Sequence, residues 1–289
     1  SDLVNRKRFF EYRPSQNSVI DEFVAFKIAK KLNLLVSDVR LVELFINDKS
    51  VGIYMEKEKL NESFLRRNKI MPINLYKGEA SRNSEKKIGL EFNLDQNPGL
   101  WEKISFLNTR NMNDYEDLIK FTNYIRKAES SINELDQIFK FENIDLLART
   151  SVLEILLNTE ISEFTHNRRM AIDVWSGKTH MIPHDFFYIR SKINEENFRL
   201  DKSSSYLFDV INQSSKFLDI KYDTLYKVVK KEKIFDEIIK DIENLKEKYL
   251  ISQRTDLGEI YRKYVQRKNY EGPENKKSFD ELIKSLRNR

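Results

Sequence analysis

Between Asn17 and Leu32 the chain reads NSVIDEFVAFKIAKKL, and Ile20, Phe23, Val24, Ile28 and Leu32 recur at the three- and four-residue spacing of one helix face. Asn17 or Ser18 is placed to cap that helix. Upstream, NRKRFFEYR alternates basic and aromatic residues as a strand does, and Pro14 ends it. Two β-rich runs follow, VRLVELFI and VGIYMEKE, joined across Asn47-Asp-Lys-Ser50; polar turn residues between two such runs predict a hairpin. A short helix around residues 62–68 then leads to a further strand, INLYKGE.

Residues 80–99 are polar and weakly periodic, which reads as an insertion or mobile loop. From Asp114 the pattern turns helical in YEDLIKFTNYIRKAE and again in IDLLARTSVLEILL. A second hairpin follows, MAIDV and THMIP around the turn Trp175-Ser-Gly-Lys178. After it FFYIRSKINEENFRLDKSSS reads as a loop, and then YLFDVIN, YDTLYKVVKK, IFDEIIKDIENLKEKYL, a segment near GEIYRKYVQR and SFDELIKSLRNR are amphipathic helices suited to bundle packing. The expectation is an α+β protein, strand-rich over residues 1–112 and helical over 113–289.

Composition narrows the classes. At 289 residues and 40% hydrophobic, the chain can bury a sizeable core. With no cysteine there is no disulfide, no thiolate nucleophile and no Cys-bound zinc. Lys+Arg 51 against Asp+Glu 46 are interspersed, so the net charge of +5 suits small anionic ligands better than nucleic acid. No apolar run is long enough to span a bilayer and no secretory-type segment opens the chain, so a soluble protein is expected, in the cytoplasm or the cell envelope.

The densest candidate chemistry lies between Asn158 and Phe187, which holds all 3 histidines. Asn158, Glu160, His166 and Asn167 follow a helix, and the second hairpin returns Asp185 to its mouth. Oxygen donors so arranged can surround one Mg²⁺. His180 and His184 stand four apart, but Pro183 and the strand-like THMIP rule against the helix that a zinc pair at that spacing needs. Neither G-x-x-x-x-G-K-[ST] nor G-x-G-x-x-G occurs.

These residues resemble the CotH family of spore-coat-protein-H-like atypical protein kinases. The likeness runs through Asn47, Gly52-Ile-Tyr54 with Glu58, Phe64-Leu65, Asn74-Leu-Tyr-Lys77-Gly78, His166-Asn167 and Ile182-Pro-His-Asp185. It implies a bilobal kinase-like fold with a nucleotide-binding lobe over 1–112 and a helical lobe over 113–289 that carries the metal and catalytic loop. It further implies ATP with Mg²⁺ or Mn²⁺ and a protein serine or threonine as acceptor. By resemblance Lys77 holds phosphates, Glu58 orients Lys77, and Asp185 and Asn167 hold the metal. Glu160 stands where the family has a catalytic aspartate, with Glu163 as its rival. Phe187 replaces a second acidic residue and the upstream R-G segment of the family is absent. A nucleotide-binding pseudokinase or scaffold is the alternative.

Overall fold

Asn47 and Asp48 both take left-handed backbone, φ 50° and 62°, which the tight turn of a twisted hairpin requires and which Asn and Asp tolerate well. They join β2 (Val39–Ile46) to β3 (Lys49–Glu58), and β1 (Phe10–Pro14) pairs antiparallel with the other edge of β3. The register sets Glu11 opposite Lys57 and Arg13 opposite Met55. Because side chains alternate along a strand, these four residues share one face of the sheet. Helix α1 (Asn17–Lys31) packs on that face. In this computed structural model the described residues are 9–14, 17–70, 74–79, 93–105, 113–131, 135, 138–140, 142–157, 168–173, 175–186, 200, 201, 205–230, 234–252 and 284.

Helix α1 buries more than the single stripe its spacing predicts. Phe23, Val24, Ala25, Phe26, Ile28, Ala29 and Leu32 are all in the core, and so are Asp21 and Glu22. The reason is that the helix is covered on several sides: by β3, by α4 (Ile144–Leu157), by α6 (Ser215–Lys230) and by α7 (Ile234–Ser252). Val152, Leu153, Leu156 and Leu157 of α4 and Ile234, Ile238 and Ile242 of α7 supply that cover.

A second antiparallel sheet has the order β5-β4-β6-β7, from β4 (Asn74–Gly78), β5 (Trp101–Lys103), β6 (Arg168–Ile172) and β7 (Thr179–Met181). The hairpin of β6 and β7 forms as expected, with Met170 opposite Met181. Strand β5 has no counterpart in the sequence reading; three residues, Trp101-Glu-Lys103, are too few to show a period. The sheet draws strands from both sides of residue 112, and α4 adds Leu147 and Ala148 to its core and Val152, Leu153, Leu156 and Leu157 to the core around α1.

Within β4 the residues of the NLYKG run divide by face. Asn74 and Tyr76 donate to Asp117 at 2.7 and 2.6 Å, tying the strand to the first turn of α3 (Glu116–Ser130). A Cβ on Gly78 would stand 3.0 Å from Leu94 and 3.1 Å from Trp101, so glycine lets these pack onto the strand. Leu75 turns to the opposite face, against Phe64 and Leu65 of α2 (Glu62–Arg67) and Ile182. By alternation Lys77 lies on that opposite face too.

Behind the second sheet a buried polar cluster secures the start of β6. Arg168 reaches Asp95 at 2.6 Å, and Asp95 also accepts from Ser205 Oγ and from the Leu207 amide near the start of α5 (Tyr206–Ile211), each at 3.0 Å. Glu142 accepts from the Thr179 hydroxyl at the start of β7. The region 80–92, the segment 187–199 and the expected helices beyond residue 252, apart from Lys284, lie outside the described residues.

Candidate active site

Two cations and two carboxylates form a closed ring between the first sheet, α1 and the chain after β7. Lys57 Nζ lies 3.1 Å from Glu22 Oε1 and 3.6 Å from Asp185 Oδ1. The Arg13 guanidinium places Nη1 2.9 Å from Glu22 Oε2 and Nη2 3.1 Å from Asp185 Oδ1. Each cation thus meets both carboxylates. Glu11 flanks the ring, 3.1 Å from Arg13 and 3.7 Å from Lys57.

Local structure explains each position. Lys57 and Arg13 point the same way because their strands pair with Glu11 opposite Lys57. Glu22 meets them because α1 packs its buried side on that face. Asp185 follows Ile182 and Pro183 out of the second sheet and takes φ 51°. A left-handed residue other than glycine is uncommon and clusters at functional sites; here that turn accompanies a carboxylate facing the cations. Its neighbour Phe186 is buried against Phe26 of α1, which holds the turn to the helix.

Burial grades the four side chains. Lys57 is 1% exposed and Glu22 5%, whereas Asp185 is 17% and Arg13 31% exposed. Burial pushes the Asp185 carboxyl up, but the charges of Lys57 and Arg13 and the hydrogen bond from Arg13 outweigh it and hold the group below the ordinary aspartate range. Burial drives the His184 imidazole well below its ordinary value, and Lys57, Arg169 and Arg13 add to that, so it is neutral. His184 Nε2 stands 3.5 Å from Asp185 Oδ1. His180 keeps different company, with Asp173 and Lys178 around the β6–β7 turn.

The pairing expected between Glu58 and Lys77 does not form. Glu58 accepts from Arg67 Nε at 2.9 Å and Nη2 at 2.5 Å, and from the Asp38 amide at 3.4 Å, and it is buried in that grip. It sits in the first sheet and Lys77 in the second. Alternation supplies the reason: Glu58 and Lys57 are adjacent on β3, so they face opposite sides of the sheet. Lys77 Nζ is instead 3.9 Å from Glu79, and it stands opposite Arg169 in the β4–β6 register. Arg169 shares Glu79 at 3.3 Å and also senses the charge of Asp185. Lys77 and Arg169 therefore continue the cationic lining from the ring along the second sheet.

Glu160, Glu163 and Asn167 lie outside the described residues, as does Phe187. Of the residues singled out in the sequence, Asp185 is the one that the structure brings into the ring. Lys57, Glu22 and Arg13 escaped sequence reasoning. Their signal was a charge set at inward positions: Lys57 two residues after the buried Met55, and Glu22 directly before the apolar run from Phe23 to Phe26.

A family model described as CotH kinase protein matches residues 11–289. No curated protein matches the chain. Among solved structures, a chain from the Shewanella oneidensis MR-1 toxin–antitoxin system HipA and HipB with its operator DNA is similar at 9% identity and a TM-score of 0.36. The match covers 96% of this chain and 57% of that one, so this chain spans a little over half of that neighbour's length. At that TM-score the likeness is too distant to assign anything to this chain.

Proposed function

Since this chain belongs to the CotH kinase protein family, and is α+β and kinase-like, we propose that it transfers the γ-phosphoryl group of ATP to a serine or threonine of a protein, with Mg²⁺ or Mn²⁺. One observation carries the reading. A buried strand lysine, Lys57, is held by a helix glutamate, Glu22, and the same lysine meets Asp185 at the end of the β6–β7 hairpin. A strand lysine steadied by a helix carboxylate, beside a metal aspartate, is the arrangement by which kinases hold nucleotide phosphates.

The donor set suits a metal that arrives with nucleotide. Among the described residues no group of three His, Cys, Asp or Glu side chains is placed to hold a metal ion. Mg²⁺ commonly takes one or two protein carboxylates and completes its shell with phosphate oxygens and water. Asp185 is the carboxylate proposed here, with Asn167 as second ligand. When bound, the metal offsets the charge that develops on the phosphoryl oxygens.

The chain's own residues do the rest by positioning and charge. Lys57 meets the phosphates, held in place by Glu22. Lys77 and Arg169 extend the positive wall. Glu58 is assigned to the framework, since Arg67 occupies its carboxylate. Glu160, or Glu163 beside it, orients the acceptor hydroxyl and takes its proton as the oxygen forms its bond to phosphorus and ADP leaves. The ligands are ATP and a protein acceptor, with no role for nucleic acid, and no described helix is long and apolar enough to cross a membrane.

Incubation with γ-labelled ATP and Mg²⁺ or Mn²⁺ tests the proposal. The expected result is self-labelling and transfer to a serine-rich peptide, both lost in Asp185→Asn. Nucleotide binding without transfer under either metal supports the second reading, a pseudokinase, which Glu160 in place of the family's aspartate favours.

A further inference from the structure

We propose that Arg13 is a displaceable counter-ion that occupies Asp185 until nucleotide arrives, so that a divalent cation enters with nucleotide and not alone; this rests on the nucleotide-site reading above. The geometry that points to it is the unequal burial of the two cations in the ring. Lys57 is fully enclosed and stacked over the Phe26 ring at 4.8 Å, so it cannot leave without unpacking α1. Arg13 is the more exposed cation of the pair, near the end of β1, and it spans both carboxylates through separate nitrogens. Its Nη2 takes Oδ1 of Asp185, an oxygen of the carboxylate assigned to the metal.

Charge arithmetic gives the consequence. Arg13 and Lys57 balance Glu22 and Asp185, and Glu11 beside them leaves the cluster a single net negative charge, too little to offset both cations and a divalent ion as well. A bare divalent cation at Asp185 would face two cations at close range, in a setting that screens charge less than water does. Nucleotide changes the balance, because its phosphates bring several negative charges and offer Arg13 a new partner of the planar, bidentate kind that guanidinium favours. Asp185 is then free for the metal, while Glu22 keeps Lys57.

The experiment is titration of Mn²⁺ into the full chain by calorimetry, with and without a non-hydrolysable ATP analogue. For Arg13→Gln, nucleotide-free Mn²⁺ affinity should rise by about tenfold or more once the opposing charge is gone. That gain should vanish in Arg13→Gln combined with Asp185→Asn. With the analogue present, wild type and Arg13→Gln should agree within about threefold, since the arginine has already left the carboxylate. Unchanged nucleotide-free affinity in a folded Arg13→Gln protein overturns the inference. If that variant does not fold, Arg13→Lys serves: an ammonium keeps the charge but lacks the two fixed nitrogens by which the guanidinium grips Glu22 and Asp185 separately, so it holds Asp185 less firmly; a gain of about threefold is expected and no gain overturns the proposal. Failure of every variant to bind Mn²⁺ even with the analogue overturns the nucleotide-site reading as well. Normal Mn²⁺ binding with nucleotide, with no effect of Arg13 without it, sinks the counter-ion role alone.

Discussion

The rings of Phe26 and Phe186 meet edge to face, 4.7 Å between centroids and 87° between planes. Phe26 belongs to the helix that carries Glu22, and Phe186 follows Asp185, so this contact sets the distance between the carboxylates of the ring. Phe186→Ala should cost about 3 kcal/mol or more, typical of emptying a buried aromatic site. It should also weaken ATP binding at temperatures where the variant is still folded. Phe186→Leu should recover part of both in urea melts and nucleotide titrations; full loss of stability with unaltered ATP affinity would separate the contact from the site.

Lys57 and Lys77 are both candidates for the phosphates, but only Lys57 is gripped by a carboxylate on a helix. Lys57→Met should reduce ATP affinity by about tenfold to a hundredfold, the worth of a charged hydrogen bond. Lys77→Met should reduce it less, because Arg169 stands beside it in the register. The reverse order in a binding titration would return the main role to Lys77.

Glu58→Gln should act on stability alone. Its two hydrogen bonds from Arg67 and the Asp38 amide tie α2 and the entry of β2 to the sheet, and leaving Arg67 without its carboxylate should cost about 2 kcal/mol. Nucleotide affinity should be unaffected at a denaturant concentration where the variant is folded. A large loss of ATP binding would restore Glu58 to the site.

Asp185→Asn should destabilise the ligand-free protein, since it strands Arg13 and Lys57 around Glu22. The wild-type carboxyl has its folded pKa below the unfolded one, so its stabilising effect is present above the unfolded value and is lost as pH falls through the folded value. The stability difference between wild type and Asp185→Asn should therefore be greatest at neutral pH and shrink on acidification. A difference independent of pH would show that the ion pairs contribute nothing.

Glu142 should act in the opposite sense. Burial pushes its carboxyl up to about 8, with Arg168 pulling it down and Asp95 pushing it up. The folded state therefore holds a proton that the unfolded state gives up above its ordinary value near 4.5. Stability should decline from about pH 5 to pH 8, by at most about 1.4 kcal/mol per unit from this group. Glu142→Gln should flatten that decline in melts across the range. An unchanged slope would mean that Glu142 is ionised in the fold.

Much of the architecture was legible along the chain. Asn47-Asp48 and Ser176-Gly177 marked both hairpins, because tight turns depend on a few residues whose backbone preferences are local. Apolar spacing marked α1, α3, α4, α6 and α7 for the same reason, and the family motifs marked Asp185. The pairing of the site charges was not legible. Lys57 and Glu58 are neighbours in sequence, yet one faces α1 and the other faces Arg67, and only strand register and the side of the sheet on which α1 packs decide which. Glu22 lies 35 positions from Lys57 and Arg13 lies 172 from Asp185, so no local pattern records those partnerships. Sequence set which segments form helices and strands, since that depends on short-range backbone and solvent preferences. Tertiary packing alone chose which buried charges meet, since a charge taken out of water must find whatever partner the fold brings to it.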